Sequence, residues 1–214
     1  AVQAYDKGRG AWPNMRVAER IQHVEAFLAR MREQREAVVK LLMWEIGKNL
    51  KDSQKEFDRT CDYITDTINA LKELDRRSSR FELEQGTLGQ IRRAPLGVAL
   101  CMGPYNYPLN ATFTTLIPAL IMGNTVVFKP AKFGVLLIRP LLEAFRDSFR
   151  AGVINVRYGS GRETVSELMG RGKIDVFAFM GTKKRSGENT SEVQSRLEIL
   201  SSMLLKKTKK RISI

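Results

Sequence analysis

The chain has 214 residues, of which 43% are hydrophobic, enough for one sizeable core with an appendage. Its mean hydropathy is −0.26, no apolar run approaches the roughly 20 residues that span a bilayer, and the first residues lack the pattern of a secretory signal, so we expect neither a membrane span nor secretion. With two cysteines, one histidine and a net charge of +13, the composition excludes a disulfide framework and a histidine-built metal site, and it favours a reducing, cytoplasmic setting.

The first part of the chain is predicted to be helical. One helix is expected over residues 14–43 and a second over residues 53–75, with a break around Gly47. Cys61 lies on the apolar stripe of the second helix and is predicted to be a small buried side chain. His23 has polar neighbours and is predicted to lie at the surface. The apolar residues of the first helix, at spacings of three and four, are Val17, Ile21, Val24, Leu28 and Met31.

After a polar segment over residues 77–89 the periodicity changes. Apolar runs of strand length occupy residues 96–102, 125–128, 153–156 and 174–179, and helical segments occupy residues 109–122, with Pro118 as an expected kink, 135–149 and 163–169. Strands that alternate with helices are typical of a parallel sheet covered on both faces. The predicted fold class is therefore α/β, with amino-terminal helices followed by a Rossmann-like parallel sheet.

Polar residues and glycines follow each predicted strand. Asn106 comes after the first strand, Lys129 ends the second, Gly159-Ser160-Gly161 follows the third, and Gly181-Thr182 follows the fourth. Parallel sheets bind ligands at the carboxyl ends of their strands, so we expect a site there.

Asn106 lies between prolines, which fix the backbone and limit the entropy lost when the side chain is aimed. Its NH₂ group could donate to an oxyanion formed by attack on a carbonyl. Alternatively, Asn106 caps the helix that begins near Leu109. The spacing by itself does not decide between these interpretations.

Lys129 and the Gly159–Gly161 turn also allow two interpretations each. Lys129 could bind a ribose hydroxyl or a phosphate, or it could be a solvated lysine at a strand end. The turn could let the backbone approach a pyrophosphate in front of a helix, or it could be an ordinary β-α turn, because the third glycine of the usual fingerprint is absent.

Taken together, these motifs resemble the aldehyde dehydrogenase superfamily. Pro104–Leu109 is similar to its Pro-aromatic-Asn-aromatic-Pro-Leu signature and Ala119–Pro130 to its cofactor-strand signature. Gly152–Val156 with the Gly159-Ser160-Gly161 turn, and then Phe179–Thr182, follow in the family's order. The Asn106–Asn110 stretch is most similar to the non-phosphorylating, NADP-dependent glyceraldehyde-3-phosphate dehydrogenase branch.

The resemblance implies roles for individual residues. Asn106 matches the oxyanion-holding asparagine, and Lys129 matches the lysine that binds the adenosine ribose. Phe179, Gly181 and Thr182 match a turn that supports the pyrophosphate and nicotinamide side of the cofactor. The further cofactor contacts that it implies are Pro104, Tyr105 and Gly161.

Lys132 bears on the choice between NADP and NAD. Family members that prefer NAD often carry Glu three residues beyond the Lys129 equivalent, where it accepts from ribose hydroxyls. Here a lysine stands at that position and could instead pair with a 2′-phosphate. The hypothesis is a preference for NADP over NAD.

The resemblance covers residues 1–182, which we expect to be a partial amino-terminal and NAD(P)-binding domain, followed by a divergent basic tail over residues 183–214. That tail holds nine Lys or Arg and three Glu, a net charge of +6. The family's nucleophilic cysteine and basic glutamate have no match here. Cys101 lies inside an apolar strand, where a thiol has a raised pKa and low reactivity.

The sequence is compatible with two functions. By resemblance, the chain is part of an NADP- or NAD-dependent enzyme that oxidises an aldehyde, with glyceraldehyde 3-phosphate as one candidate, and it is inactive because its nucleophile and base are missing. The alternative is a non-catalytic, truncated paralogue that binds a cofactor or a partner. The expected partners are a small aldehyde and, as in full-length relatives, further copies of the chain, with no specific nucleic acid, membrane or metal.

Overall fold

The computed structural model describes residues 1–78, 80–90 and 92–180. These residues form a helical amino-terminal layer, a hairpin and a parallel sheet. The helices are α1 (Val2–Tyr5), α2 (Val17–Glu33), α3 (Arg35–Ile46), α4 (Leu50–Ser78), α5 (Asn110–Ile121), α6 (Leu141–Ser148) and α7 (Gly161–Gly170). The strands are β1 (Glu82–Glu84), β2 (Thr87–Gly89), β3 (Val98–Met102), β4 (Thr125–Lys129), β5 (Ile154–Val156) and β6 (Val176–Phe179).

The main sheet is parallel, with strand order β5-β4-β3-β6. The register places Met102 of β3 between Lys129 of β4 and Phe179 of β6, and it places Phe128 of β4 beside Val156 of β5. All four strands therefore end at one edge of the sheet. The predicted α/β class and the parallel sheet are confirmed.

Helices cover both faces of this sheet. One face packs on the large core that the amino-terminal helices form with α5 and α6, and the other packs on α7. Strand residues on the first face are Ala99, Cys101, Val126, Phe128, Ile154, Val156, Val176 and Ala178. Strand residues on the α7 face are Leu100, Met102, Val127, Phe177 and Phe179. The two sets alternate along each strand, as the side-chain period of two requires.

The amino-terminal helices follow their apolar stripes, but the first is divided. The predicted helix over 14–43 is two helices, α2 and α3, because the backbone of Gln34 leaves helical geometry at φ −89° and ψ 9°. The break at Gly47 is confirmed, since this residue ends α3 in the left-handed region at φ +73°, where glycine lacks the penalty of a Cβ. Local periodicity continued through Gln34 and therefore did not indicate the break.

Pro118 lies inside α5, as predicted. Proline has no N–H, so the carbonyl of Thr114, one turn earlier, lacks its usual helical donor. The hydroxyl of Tyr63 on α4 donates to that carbonyl at 3.1 Å. A contact between two helices thus satisfies the group that the proline leaves without a donor.

Two further segments differ from the sequence-based expectation. The predicted helix over 135–149 is a 3₁₀ turn over Leu136–Ile138 and the separate helix α6, with Pro140 between them. The polar segment over 77–89 contains the hairpin of β1 and β2, which was not predicted. Within the described residues, no helix is both long and apolar enough to cross a bilayer.

Candidate functional site

The carboxyl edge of the sheet brings most of the predicted site residues together. Lys129, Met102 and Phe179 lie side by side at the ends of β4, β3 and β6. Neighbouring strands are about 4.8 Å apart, so three strand ends extend over roughly 10 Å. The loop with Asn106 follows β3, and α7 begins after β5.

Asn106 lies in the loop between β3 and α5. Its side chain is exposed, and it makes no hydrogen bond to any residue that the structure describes. The amino end of α5 is capped by Glu56, whose Oε1 accepts from the amides of Leu109 and Asn110 at 3.1 Å each. The capping alternative for Asn106 is therefore wrong, and its NH₂ group is available to a ligand.

A buried ion pair holds the loop around Asn106. The side chain of Glu56, a residue only 3% exposed, pairs through Oε2 with Lys48 Nζ. The same Nζ lies over the ring of Tyr107, 3.8 Å from its centroid. Because Tyr107 directly follows Asn106, the ion pair fixes both the residue after Asn106 and the helix that ends the loop.

The Asn106 loop also meets the segment that follows β4. A Cβ at Gly134 would overlap the ring of Pro108, and Gly134 has φ +110°, so only glycine fits this close approach without strain. Tyr105 packs edge-on against Phe133, with 6.4 Å between ring centroids. The candidate carbonyl site and the candidate ribose site therefore share one wall.

Lys129 is a buried cation with little compensation. The residue is 4% exposed, and its Nζ donates one hydrogen bond, to the Pro130 carbonyl at 2.9 Å. No carboxylate among the described residues pairs with it. Burial lowers its pKa from the ordinary value for lysine. The alternative of a solvated lysine at a strand end is therefore wrong, and Lys129 fits a position whose partner is a ligand.

The turn before α7 leaves room at the start of the helix. A Cβ at Gly161 would meet no atom within 4 Å. Ser160, the N-cap residue, makes no side-chain hydrogen bond to α7. Gly159, at φ +138°, approaches the hydroxyl of Thr164. Free N–H groups at a helix start attract anions, so this turn suits a phosphate group, although Gly161 is not required by packing.

The remaining predicted residues have different surroundings. Pro104 is half-buried and lies two residues after the end of β3. Lys132 is exposed, and its Nζ lies 5.4 Å from the Phe133 ring centroid. Phe179 is half-buried and stacks on Phe177 at 5.8 Å. Gly181 and Thr182 lie outside the described residues, as does the predicted tail over 183–214.

Both cysteines are structural. Burial raises the pKa of Cys61 to about 11 and that of Cys101 to about 12. His23 is half-buried rather than at the surface: its Nδ1 lies 2.6 Å from the Ser148 carbonyl, and its ring packs edge-on to Trp12. No cluster of His, Cys, Asp and Glu that could hold a metal occurs in the described part of the chain.

Sequence reasoning missed Lys48, Glu56 and Glu45. The Glu45 carboxylate accepts from the amides of Leu136 and Leu137, both at 2.8 Å, and so caps the turn after β4. The available signal for Glu56 was a carboxylate within the buried stripe of α4, next to Phe57. Lys48 and Glu45 carried no such signal, because both lie at the end of a helix where polar residues are common.

Comparison with known proteins identifies similar sequences and folds. The profile of the "Aldehyde dehydrogenase family" matches residues 1–201. Malonate-semialdehyde dehydrogenase 1 of Bacillus licheniformis is 29% identical over 184 residues, which make up 86% of this chain and 38% of that protein. The chain thus spans about two fifths of the length of the curated relatives it matches.

Two solved structures extend the comparison. The NADP-dependent glyceraldehyde-3-phosphate dehydrogenase of Bacillus halodurans, complexed with NADP, is 30% identical with a TM-score of 0.77, over 89% of this chain and 41% of that one. The betaine aldehyde dehydrogenase of Staphylococcus aureus, a point mutant in complex with NAD⁺, is 24% identical with a TM-score of 0.76, over 90% of this chain and 39% of that one. The second likeness concerns the fold alone.

Proposed function

The chain belongs to the aldehyde dehydrogenase family, and from this premise we propose that it is the dinucleotide-binding part of an enzyme that oxidises an aldehyde to its acid. The preferred dinucleotide is NADP. The family and the parallel sheet support the class of reaction, and the edge of that sheet supports the cofactor.

The observation that carries the proposal is the buried Lys129. An unpaired buried cation costs free energy unless a partner compensates it, and Lys129 has one carbonyl contact and no carboxylate among the described residues. The position at the end of a parallel strand is where such sheets bind nucleotides. Ribose hydroxyls or a phosphate group supply the missing acceptors.

Other residues fit the same ligand. The open space at Gly161 and the uncapped start of α7 accommodate a pyrophosphate. Lys132, exposed beyond β4, is placed on the segment that leads away from Lys129 and is available to a 2′-phosphate. When bound, the nicotinamide cofactor supplies a hydride acceptor, a function that protein side chains do not provide.

Asn106 serves the carbonyl. Its exposed NH₂ group is held on a loop fixed by Glu56 and Lys48, so it can donate to the oxyanion with little reorganisation. Losing one such donor typically costs about 10²–10³ in rate. The proposed role of Asn106 in the complete enzyme is therefore to stabilise developing charge, not to transfer a proton.

The nucleophile is the missing part. Family chemistry needs a thiolate to attack the aldehyde and a carboxylate to activate water. Cys61 and Cys101 are buried with a pKa of about 11 and about 12, so neither is a thiolate at neutral pH. We infer that the 214-residue chain binds the cofactor without turnover, which keeps a binding function as the second candidate.

Glyceraldehyde 3-phosphate is the proposed substrate of the complete enzyme. Support comes from the 30% identity to the Bacillus halodurans dehydrogenase and from the Asn106–Asn110 stretch. The semialdehyde dehydrogenase from Bacillus licheniformis is 29% identical to this chain, so a semialdehyde is the competing substrate of the complete enzyme.

Titration of the chain with NADP tests the cofactor site. We expect saturable binding that Lys129→Met abolishes and that Lys173→Met, which removes an exposed lysine ahead of β6, leaves unchanged. Absence of saturable binding, or equal affinity in all three proteins, contradicts the site. Mixing chain, NADP and glyceraldehyde 3-phosphate should give no NADPH, and its steady formation would refute the inference of a chain without turnover.

A further inference from the structure

We propose that Arg157 determines cofactor specificity by binding the 2′-phosphate of NADP, an inference that rests on the cofactor site proposed above. Arg157 belongs to none of the motifs that the sequence singled out. Its position, its exposure and the charges around it all point to this role.

The backbone places Arg157 next to Lys129. It directly follows Val156, the last residue of β5, and its N–H donates to the Phe128 carbonyl at 2.8 Å. The pairing of β4 with β5 thus continues one residue beyond Val156. Arg157 is therefore the neighbour of Lys129 at the carboxyl edge, one strand spacing of about 4.8 Å away.

The face of the sheet is also the same for both residues. Val156 and Phe128 pack on the face toward α2 and α6. Successive side chains of a strand point to opposite faces, so Lys129 and Arg157, each one position further, belong to the face that α7 covers. The start of α7, where the pyrophosphate is proposed to bind, lies on that face.

The charged residues on the two segments that directly follow β4 and β5 are positive, and the next acidic residue along the chain is Glu163 in the first turn of α7. Arg157 and Lys132 are both exposed, and neither side chain has a hydrogen bond or ion pair with any described residue. The Nζ of Lys132 lies over the Phe133 ring. Neither the stretch 129–134 nor the stretch 157–161 contains Asp or Glu. A carboxylate here would accept from the free ribose hydroxyls of NAD and repel a phosphate. Its absence favours a phosphorylated ribose.

A guanidinium is well suited to this ligand. Its planar fork donates two parallel hydrogen bonds to phosphate oxygens, whereas an ammonium group acts as a point charge. NAD differs from NADP in lacking this phosphate, so contacts to it change the affinity for NADP and leave that for NAD unaffected. Arg157 thereby selects between the two cofactors, and Lys129 binds the ribose that they share.

The experiment measures dissociation constants for NADP and NAD with the full 214-residue chain and with Arg157→Gln, by calorimetric titration. We expect Arg157→Gln to raise the dissociation constant for NADP by about 10- to 100-fold, as for loss of charge-assisted hydrogen bonds. The dissociation constant for NAD should change by less than about twofold. Arg157→Lys should restore part of the loss, since it returns the charge without the fork.

Arg150→Gln is the matched control. Arg150 is exposed and precedes the same strand at its opposite end, so this variant removes an equal charge far from the edge. The role of Arg157 is overturned, while the cofactor site stands, if Arg157→Gln leaves the affinity for NADP unchanged or lowers the affinities for NADP and NAD equally. The same conclusion follows if Arg150→Gln lowers the affinity for NADP as much as Arg157→Gln does. If the unmodified chain binds neither dinucleotide, the cofactor site itself fails and the inference fails with it.

Discussion

Replacing Glu56 by alanine is expected to destabilise the fold strongly and to release the loop that carries Asn106. The carboxylate is 3% exposed and accepts from the amides of Leu109 and Asn110 and from Lys48. No other side chain among the described residues caps this end of α5. The variant therefore leaves a lysine and two helix amides without their acceptor.

The expected loss of unfolding free energy in Glu56→Ala follows from these contacts. Removing one partner of a buried ion pair costs about 3–5 kcal/mol, and hydrogen bonds to a charged group contribute about 1.5–3 kcal/mol each. Lys48 is partly exposed and regains some hydration, so we expect a loss of about 4 kcal/mol. For a chain of this length that lowers the thermal unfolding midpoint by about 8–16 °C. Glu56→Gln, which keeps an oxygen acceptor, should lose about half as much.

Urea denaturation of the unmodified chain and of the two variants measures the free energy of unfolding. Hydrogen exchange measures the protection of the backbone amides of Leu109 and Asn110. We expect exchange at these amides to accelerate more than at buried β3, such as Leu100. Lys48→Met provides the second arm of a double-mutant cycle, in which the effects of the two changes should not be additive. A loss below about 1 kcal/mol, or unchanged protection at the two amides, would show that Glu56 does not hold the loop.

Three further outcomes are expected. Lys129→Met should abolish NADP binding yet raise the unfolding free energy by about 1 kcal/mol, because it removes a buried charge. Since burial lowers the pKa of Lys129, this gain in stability should shrink as the pH rises toward the pKa that the lysine has in the unfolded chain. A variant that is less stable than the unmodified chain at pH 7 would contradict this expectation. Asn106→Ala should change the unfolding free energy by less than about 0.5 kcal/mol, since it caps no helix, and a measured loss near that of a cap, about 1 kcal/mol, would restore the capping interpretation. Cys61 and Cys101 should resist iodoacetamide at pH 8 in the folded chain and react fully in urea, because burial raises their pKa values to about 11 and about 12 and keeps them protonated. Mass spectrometry measures the labelling, and rapid labelling without denaturant would contradict this prediction.

Strands and helices that carry their own pattern could be predicted from the sequence. The run around β3 is apolar because its five residues are all buried, and the turn at Gly47 needs a left-handed backbone that glycine adopts readily. The elements that were missed or merged depend on weaker local signals. Gln34 interrupts a stripe that continues on both sides, and β1 and β2 have three residues each, too few for a period of two to be recognised.

The candidate site divides in the same way. Asn106 and Lys129 could be found because each directly follows or ends an apolar strand. Their two open interpretations could not be resolved, because the difference between a cap and a free donor depends on Glu56, about 50 residues earlier in the chain. The sequence likewise carried no signal for Arg157, because its position next to Lys129 depends on the hydrogen bond from its N–H to Phe128 of another strand.

By itself, the sequence determined the order of helices and strands, the edge where the site lies and the resemblance to a dehydrogenase family, because all of these depend on periodicity and on motifs within short segments. Only the tertiary structure decided that Lys129 is buried, that Asn106 is free to donate and that the two cysteines are inert. Burial, hydrogen bonding and pKa depend on atoms brought together from distant parts of the chain. Residues that are distant in sequence are brought together where α5 packs on the sheet and α4 packs on α5.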